Sequence, residues 1–189
     1  MNDGATVFIP VILGTIRKGR ASEAVARFVH GEIGKRDGVE TALVDIRELN
    51  MTLDDEGESI KHSWFSELMA RADGIALIVP EYNHGYPGSL KHVLDTNLKE
   101  YIHKAAGVCG VSAGPFGGTR VIQSILPVLR ELGLVTTFFD GNFSMAHKLF
   151  NDEGELLEQA YVRRIDPFIK ELIWMSRVLK YGRENYPQA

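Results

Sequence analysis

Apolar runs alternate with amphipathic segments along the chain, and this alternation restricts the folds that are open to it. The apolar runs predict five strands, at residues 6–13, 39–45, 74–80, 105–112 and 134–139. Apolar residues at helical spacing predict helices near residues 21–35, 61–72, 87–99, 118–132 and 156–180. Right-handed crossover connections in such an order cover both faces of a parallel sheet. The sequence therefore predicts an α/β fold of three layers, with a five-stranded parallel sheet of order 2-1-3-4-5.

The loop after the first strand is rich in hydroxyl and basic side chains. It spans residues 14–22 and contains Thr15, Arg17 and Arg20. A loop between a parallel strand and a helix directs backbone N–H groups and the positive end of a helix dipole at whatever lies above the strand. A surface turn with solvated basic residues is the alternative. We interpret the loop as a phosphate site, because strand, turn and helix occur in the order that confirms such motifs.

This loop matches neither of two familiar phosphate motifs. Gly14 and Gly19 have the Walker A spacing, but Arg20 and Ala21 stand where that motif needs Lys and then Ser or Thr. The dinucleotide fingerprint needs glycine at its third position, where this chain has Ile16. A terminal phosphate monoester fits better, because hydroxyls, backbone N–H groups and arginine can neutralise it without a metal.

Two further loops, after the third and fourth strands, are unusually rich in glycine, proline and aromatic residues. They span residues 80–88 and 112–119. Ligands of open α/β sheets bind at the carboxyl ends of the strands, near the point where the strand order reverses. Glycines in such a loop permit the backbone to lie against a planar ring. A loop that binds phosphate, together with two loops that can lie against a planar ring, is the combination that FMN needs.

Composition narrows the class of protein. With 189 residues, 44% hydrophobic and 24% charged, the chain suits one domain over residues 1–189. The net charge of −4 argues against nucleic acid or an anionic membrane as a partner. Cys109 is the only cysteine, and the six histidines show no metal-ligand spacing, so we predict no metal site. We expect a cytoplasmic protein, because no signal peptide or membrane-spanning run is evident.

Taken together, these loops resemble the NADPH-dependent FMN reductase family of flavodoxin-like proteins, which includes quinone, chromate and azo reductases. The most specific resemblance is Pro80-Glu81-Tyr82-Asn83 followed by residues 87–91 and Asp95. The loops at residues 14–22 and 112–118 also fall at the expected places. Many members carry Ser and Asn where this chain has Arg20 and Ala21.

The resemblance implies a flavodoxin-like sandwich that binds FMN, and it implies which residues form the site. The residues implied to hold the FMN phosphate are Thr15, Arg17, Arg20 and Ser22. The residues implied to border the isoalloxazine are Pro80, Glu81, Tyr82, Asn83 and His84, with Ser112, Gly114 and Gly117 along its other edge. Tyr86 and Arg120 are candidates for the acceptor pocket, although a packing role is as well supported for each.

The function implied is an NAD(P)H oxidoreductase that works by a ping-pong cycle. Hydride would pass from NADPH or NADH to the flavin, and then to a quinone, azo, metal-oxyanion or free-flavin acceptor. We predict no catalytic side chain, because the flavin carries the redox chemistry. The resemblance also implies a homodimer or homotetramer, and the helix after Pro87 is our predicted contact. An FMN-binding electron carrier or redox-responsive binding protein, without direct reaction with NAD(P)H, is the alternative.

Overall fold

The three predicted layers are present in the structure, a computed structural model that describes residues 6–52 and 60–186. The strands of that part of the chain are β1 (Val7–Phe8), β2 (Val11–Leu13), β3 (Val39–Glu40), β4 (Leu43–Asp45), β5 (Gly74–Pro80), β6 (Ala105–Val111), β7 (Val135–Thr136) and β8 (Gly141–Phe143). Its α-helices are α1 (Ser22–Gly34), α2 (Ser63–Arg71), α3 (Gly88–Asp95), α4 (Thr119–Glu131) and α5 (Ala160–Asn185).

The sheet has parallel pairing throughout, in the order β4-β2-β5-β6-β7, and β8 also pairs with β6. The first two predicted strands are each interrupted, and their leading halves pair as β1 with β3. One interruption falls at Pro10, which has no N–H for the ladder. Opposite it, the Thr41 hydroxyl donates to the Ile9 carbonyl at 2.7 Å. With each interrupted pair counted as one strand, the order is 2-1-3-4-5, which confirms the prediction.

The last strand differs from the predicted range of residues 134–139. The chain leaves the sheet after β7, where Phe138 and Phe139 are 84% and 47% exposed, and it returns as β8. A Cβ on Gly141 would lie 2.4 Å from the Cys109 sulfur, so only glycine allows β8 to approach β6 this closely. The two phenylalanines resembled a strand in sequence because they are apolar. The sheet instead extends toward the carboxyl edge, at Phe143.

The helices cover both faces of the sheet. Helices α2, α3 and α4 pack on one face around Phe65, Leu90 and Ile125, and α1 and α5 pack on the other around Val29 and Phe168. The strand side chains point alternately into these two apolar layers, which is why the strands are apolar throughout. The sheet is therefore buried on both faces, and its polar chemistry is confined to its two edges.

Two helices differ in length from their predictions. Helix α3 ends at Asp95 rather than near residue 99, and the Thr96 hydroxyl donates to the Val93 carbonyl at 2.8 Å. A hydroxyl bonded to the backbone in this way competes with continuation of the helix. Helix α5 covers Ala160–Asn185 instead of residues 156–180. Within residues 6–52 and 60–186, neither α5 nor any other helix is both long and apolar enough to cross a membrane.

A buried carboxylate joins α5 to the amino edge of the sheet. Asp73, just before β5, accepts from the Phe8 backbone N–H at 3.0 Å, Lys180 Nζ at 3.1 Å and Arg183 Nη2 at 2.8 Å. Nearby, Lys104 Nζ donates to the carbonyls of Met69 and Ala70 at 2.6 and 2.7 Å. Burial lowers the pKa of Lys104 to about 8. This group, the Asp73 cluster, attaches the last helix to the start of two strands.

Candidate cofactor site

The loop of residues 14–22 leaves β2 at the carboxyl edge and is fixed by its own polar side chains. Thr15 is buried, and its hydroxyl lies 3.1 Å from the Tyr82 hydroxyl and accepts from the Arg17 N–H at 3.3 Å. Arg47 donates from outside to the carbonyls of Ile16 and Arg17, at 3.1 and 2.6 Å. Thr15 therefore contributes to the shape of the loop through contacts within the protein.

Arg20 points into the protein rather than into solvent. Its guanidinium donates to the Thr15 carbonyl and to the Asp45 carboxylate at the end of β4, and it lies 3.4 Å from the Glu23 carboxylate. Its Nε is buried and has no hydrogen-bond partner in the described part of the chain. Arg20 was predicted to bind the phosphate. In the structure most of its guanidinium connects the loop to the sheet, and one N–H, that of Nε, remains for a ligand.

Helix α1 begins at Ser22 without a capping side chain. Ala21 occupies the N-cap position, so no side chain there accepts from the N–H groups of the first turn. The Ser22 hydroxyl is buried, and among the described residues it has no hydrogen-bond partner. Of the first N–H groups of α1, that of Glu23 donates to the Arg20 carbonyl at 3.2 Å. The Ser22 hydroxyl and the remaining N–H groups at this helix N-terminus form a donor set suited to an anion.

These groups border a cavity of about 290 Å³ at the carboxyl edge of the sheet. The residues that line it are Arg17, Lys18, Gly19, Arg20, Ala21, Ser22, Pro80, Glu81, Tyr82, Val111, Ser112, Ala113, Ala146 and His147. A second hollow shares Arg17, Glu81 and Tyr82 with it and continues past them. The further lining of that hollow is Thr15, Ile16, Asn83, Pro87, Gly88 and Ser89. We call the first the inner cavity and the second the outer hollow.

The loop after β5 contributes residues to the lining of both spaces. Tyr82 and Gly85 exchange backbone hydrogen bonds at 2.9 and 3.0 Å across a tight turn. Asn83 and His84 form its tip with φ of +50° and +66°, a conformation that few non-glycine residues adopt. Pro80, Glu81 and Tyr82 line the inner cavity and Asn83 lines the outer hollow, whereas His84 lines neither.

Glu81 carries the carboxylate of this loop. Its Oε1 lies 3.4 Å from Arg120 Nη1, and its Oε2 is buried without a partner among the described residues. The Arg120 guanidinium also lies over the Phe116 ring, 4.7 Å from its centroid. Glu81 therefore presents one free acceptor to a ligand, while Arg120 balances its charge from the surface.

The loop after β6 contributes less to these spaces than the sequence predicted. Ser112 lines the inner cavity, and its hydroxyl donates to the Gly114 carbonyl at 2.9 Å. Gly114 and Gly117 line neither space. Gly117 has φ +59°, and a Cβ there would lie 2.9 Å from the Asn142 side chain. Position 117 requires glycine because the chain there packs closely against the segment that contains β8.

Sequence reasoning missed the wall of the inner cavity that follows β8. A short 3-10 helix, Ala146–Lys148, begins after Met145, whose φ is +49°. It brings Ala146 and His147 to the cavity. Because the last strand was predicted to end at residue 139, the sequence held no signal that would have placed this segment there. No group of three metal-ligating side chains lies close enough to hold a metal ion within the described ranges.

Comparison with known proteins identifies relatives of this chain. A quinone reductase of Pseudomonas putida is 27% identical over 177 residues, covering 86% of this chain and 94% of its own. An NADPH azoreductase of a Bacillus species is 33% identical over 122 residues, covering 61% and 64%. The structure of FerB, an NAD(P)H:(acceptor) oxidoreductase of Paracoccus denitrificans, matches with a TM-score of 0.75 at 20% identity, over 89% and 98%.

The FerB structure has the same fold. The family of NADPH-dependent FMN reductases matches residues 8–148, from β1 to the short helix beside the inner cavity. The chain belongs to the NADPH-dependent FMN reductase family.

Proposed function

We propose that this chain binds FMN at the carboxyl edge of its sheet and uses NADPH or NADH to reduce small electron acceptors. The observation that carries the proposal is the set of buried donors without partners beside the start of α1. The Ser22 hydroxyl and Arg20 Nε both belong to residues that line the inner cavity. Leaving such a group unpaired costs about 1–3 kcal/mol, which a bound ligand oxygen would offset.

A phosphate monoester suits the inner cavity. The Ser22 hydroxyl, Arg20 Nε and the N–H groups at the start of α1 other than that of Glu23 would bind its oxygens. Arg17 and Lys18 would neutralise its charge from the rim. Among the described residues, neither Arg17 nor Lys18 pairs with a carboxylate; Arg17 instead lies over the Tyr82 ring, 5.0 Å from its centroid. Thr15 and the paired nitrogens of Arg20 hold the loop in the shape that the ligand needs.

The outer hollow suits the flavin ring. It continues from the inner cavity past Tyr82, so one elongated ligand can occupy both spaces. Glu81 Oε2 would accept from a donor of the ligand, and the backbone of residues 81–83 would border the ring. Once bound, FMN supplies the hydride and electron transfer that no side chain here can perform. The chain's own task is to hold the cofactor and leave one face open to NAD(P)H and then to the acceptor.

We extend the proposal to the acceptors and to the assembly. Quinones, azo compounds, metal oxyanions and free flavin are the acceptor classes, and the cycle is ping-pong because the two substrates use one open face in turn.

A homodimer or homotetramer is proposed because apolar side chains remain exposed at the surface. Leu98 and Ile102, just past α3, are 53% and 40% exposed. Light scattering at micromolar protein concentration measures the assembly directly.

A spectroscopic titration tests this function in two steps. Apoprotein is titrated with FMN and with riboflavin, and we expect FMN to bind more tightly because riboflavin lacks the phosphate. The FMN complex is then mixed with NADPH without oxygen, and rapid bleaching of the visible flavin bands is expected. Failure to bind FMN at micromolar concentration would refute the whole proposal. Binding followed by slow bleaching that requires a separate reductase would identify an electron carrier instead.

A further inference from the structure

His147 lines the inner cavity together with residues 17–22, and the backbone around it is fixed by hydrogen bonds. The Met145 N–H donates to the Gly114 carbonyl and the Ala146 N–H to the Ser112 carbonyl, each at 3.0 Å. Ala146 itself is buried. The short helix is therefore attached to the loop after β6, so His147 keeps its place beside the cavity.

The imidazole of His147 is exposed and unpaired in the described part of the chain: it forms neither a hydrogen bond nor an ion pair there. It lines the same cavity as Lys18, Arg20 and Ser22. An anion bound in this cavity can accept a hydrogen bond from an imidazole N–H, and that bond is stronger when the ring is protonated. We propose that His147 is a ligand of the FMN phosphate and makes the retention of FMN depend on pH, an inference that rests on the proposed function.

The charges that face His147 determine the sign of this dependence. From the phosphate loop come Arg17 and Lys18, which lack carboxylate partners in the described ranges, and Arg20, whose charge is shared with Asp45 and Glu23. The loop after β5 contributes Glu81, which is paired with Arg120. Lys148, next to His147, does not line the cavity. Without a ligand this surface carries a net positive charge.

A bound phosphate supplies the negative charge that an imidazolium pairs with. Its second pKa is about 6 and the ordinary pKa of histidine is about 6.5, so a dianion and an imidazolium coexist near neutral pH. The imidazolium binds the dianion more strongly than the neutral ring does, so the affinity for FMN falls as the pH rises and the ring loses its proton. Riboflavin has no phosphate, so its binding does not share this change.

The test measures the dissociation constants of FMN and riboflavin at pH 6.5 and 8.5, by quenching of flavin fluorescence. For the wild-type protein we expect FMN to bind about three- to tenfold more weakly at pH 8.5, with riboflavin unchanged. His147→Gln should bind FMN weakly at both pH values, and His147→Lys tightly at both. Lys148→Gln removes a neighbouring charge outside the cavity lining and should retain the wild-type pH dependence.

Other outcomes of this experiment would contradict either the role of His147 or the proposed function. A pH dependence that persists in His147→Gln, that riboflavin shares, or that Lys148→Gln removes equally would overturn the role of His147. Tight FMN binding that does not change with pH in the wild-type protein would also overturn it, and would leave the proposed function intact. Absence of FMN binding at either pH would refute the proposed function and this inference together.

Discussion

The two edges of one sheet carry polar clusters of opposite kind. At the amino edge, both oxygens of Asp73 are occupied, by a backbone N–H and two cations, and Lys104 donates to two carbonyls. At the carboxyl edge, Ser22, Arg20 and Glu81 each keep a buried polar atom without a partner among the described residues. Buried polar atoms are normally paired, so unpaired atoms on residues that line the cavity mark where a ligand is expected. The other buried side-chain atoms without a partner in the described ranges, on Ser66, Asn97, Tyr101 and Arg177, belong to residues outside the cavity lining.

Replacing Asp73 is the most sensitive test of the claim that the amino edge stabilises the fold and does not bind the ligand. Asp73→Ala removes the acceptor of the Phe8 N–H and leaves Lys180 and Arg183 without their carboxylate. We expect the free energy of unfolding in urea to fall by about 3–5 kcal/mol, the cost typical of breaking a buried ion pair. FMN affinity of the folded fraction should stay close to wild type. A large loss of affinity with little loss of stability would reverse the roles assigned to the two edges.

Asp45 is expected to affect both stability and ligand binding. Its partner Arg20 holds the loop of residues 14–22 against the sheet and also lines the inner cavity. We expect Asp45→Asn to lower the free energy of unfolding by about 1–3 kcal/mol, since Arg20 is left buried with less compensation. FMN affinity should fall with it as the loop loosens. Glu40→Gln is the control, because its ion pair with Arg71 is exposed and contributes about 0–1 kcal/mol. Equal effects of the two variants would show that the Arg20 brace is unimportant.

The unpaired hydroxyl of Ser22 gives the sharpest contrast with the amino edge. Ser22→Ala removes a buried group without a partner in the described chain, so apoprotein stability should not fall. FMN affinity should fall about tenfold, or about 1.4 kcal/mol, and riboflavin affinity should not change. Ser66→Ala is a matched control, because the Ser66 hydroxyl on α2 is also buried and unpaired there but lies outside the cavity. Loss of stability without loss of FMN affinity would make Ser22 a structural residue.

A pH dependence is expected at the amino edge. Burial lowers the pKa of Lys104 from 10.5 to about 8, so between these values the unfolded chain holds more protons at this site than the folded one. The free energy of unfolding should therefore gain a component that rises with pH from about 8 to 10.5. Urea titrations at pH 7.5 and 9.5 should show a larger increase for wild type than for Lys104→Gln. Parallel curves would indicate that Lys104 titrates normally in the folded protein.

The sequence predicted the strand order, the fold class and the family because those depend on local patterns. Apolar runs between turns identify buried strands, and the loops at residues 14–22 and 80–84 have recognisable residue types. What each loop residue does was harder to predict. Arg20 turns inward because Asp45, at the end of a neighbouring strand, lies beside it, and only the parallel pairing of β2 with β4 creates that contact.

The far wall of the cavity escaped prediction for a different physical reason. Phe138 and Phe139 are apolar but largely exposed, so hydrophobicity alone assigned them to the sheet. The strand that reaches the site is β8, whose Gly141 and Asn142 have a weak strand signal. Its place depends on close packing of Gly141 against Cys109, a tertiary contact that pattern analysis does not contain. His147 could be assigned to the site only once that contact was known.

The position of β8 in the chain also has a consequence for biosynthesis. The Phe143 carbonyl accepts from the Ser112 N–H at 3.0 Å, so the loop after β6 is completed by residues made some thirty positions later. A nascent chain that ends before residue 141 contains the phosphate loop and the turn at residues 82–85 but lacks the wall formed by Ala146 and His147. Domains generally fold as units during synthesis. The complete inner cavity therefore forms only after synthesis has passed residue 147, when most of the chain has been made.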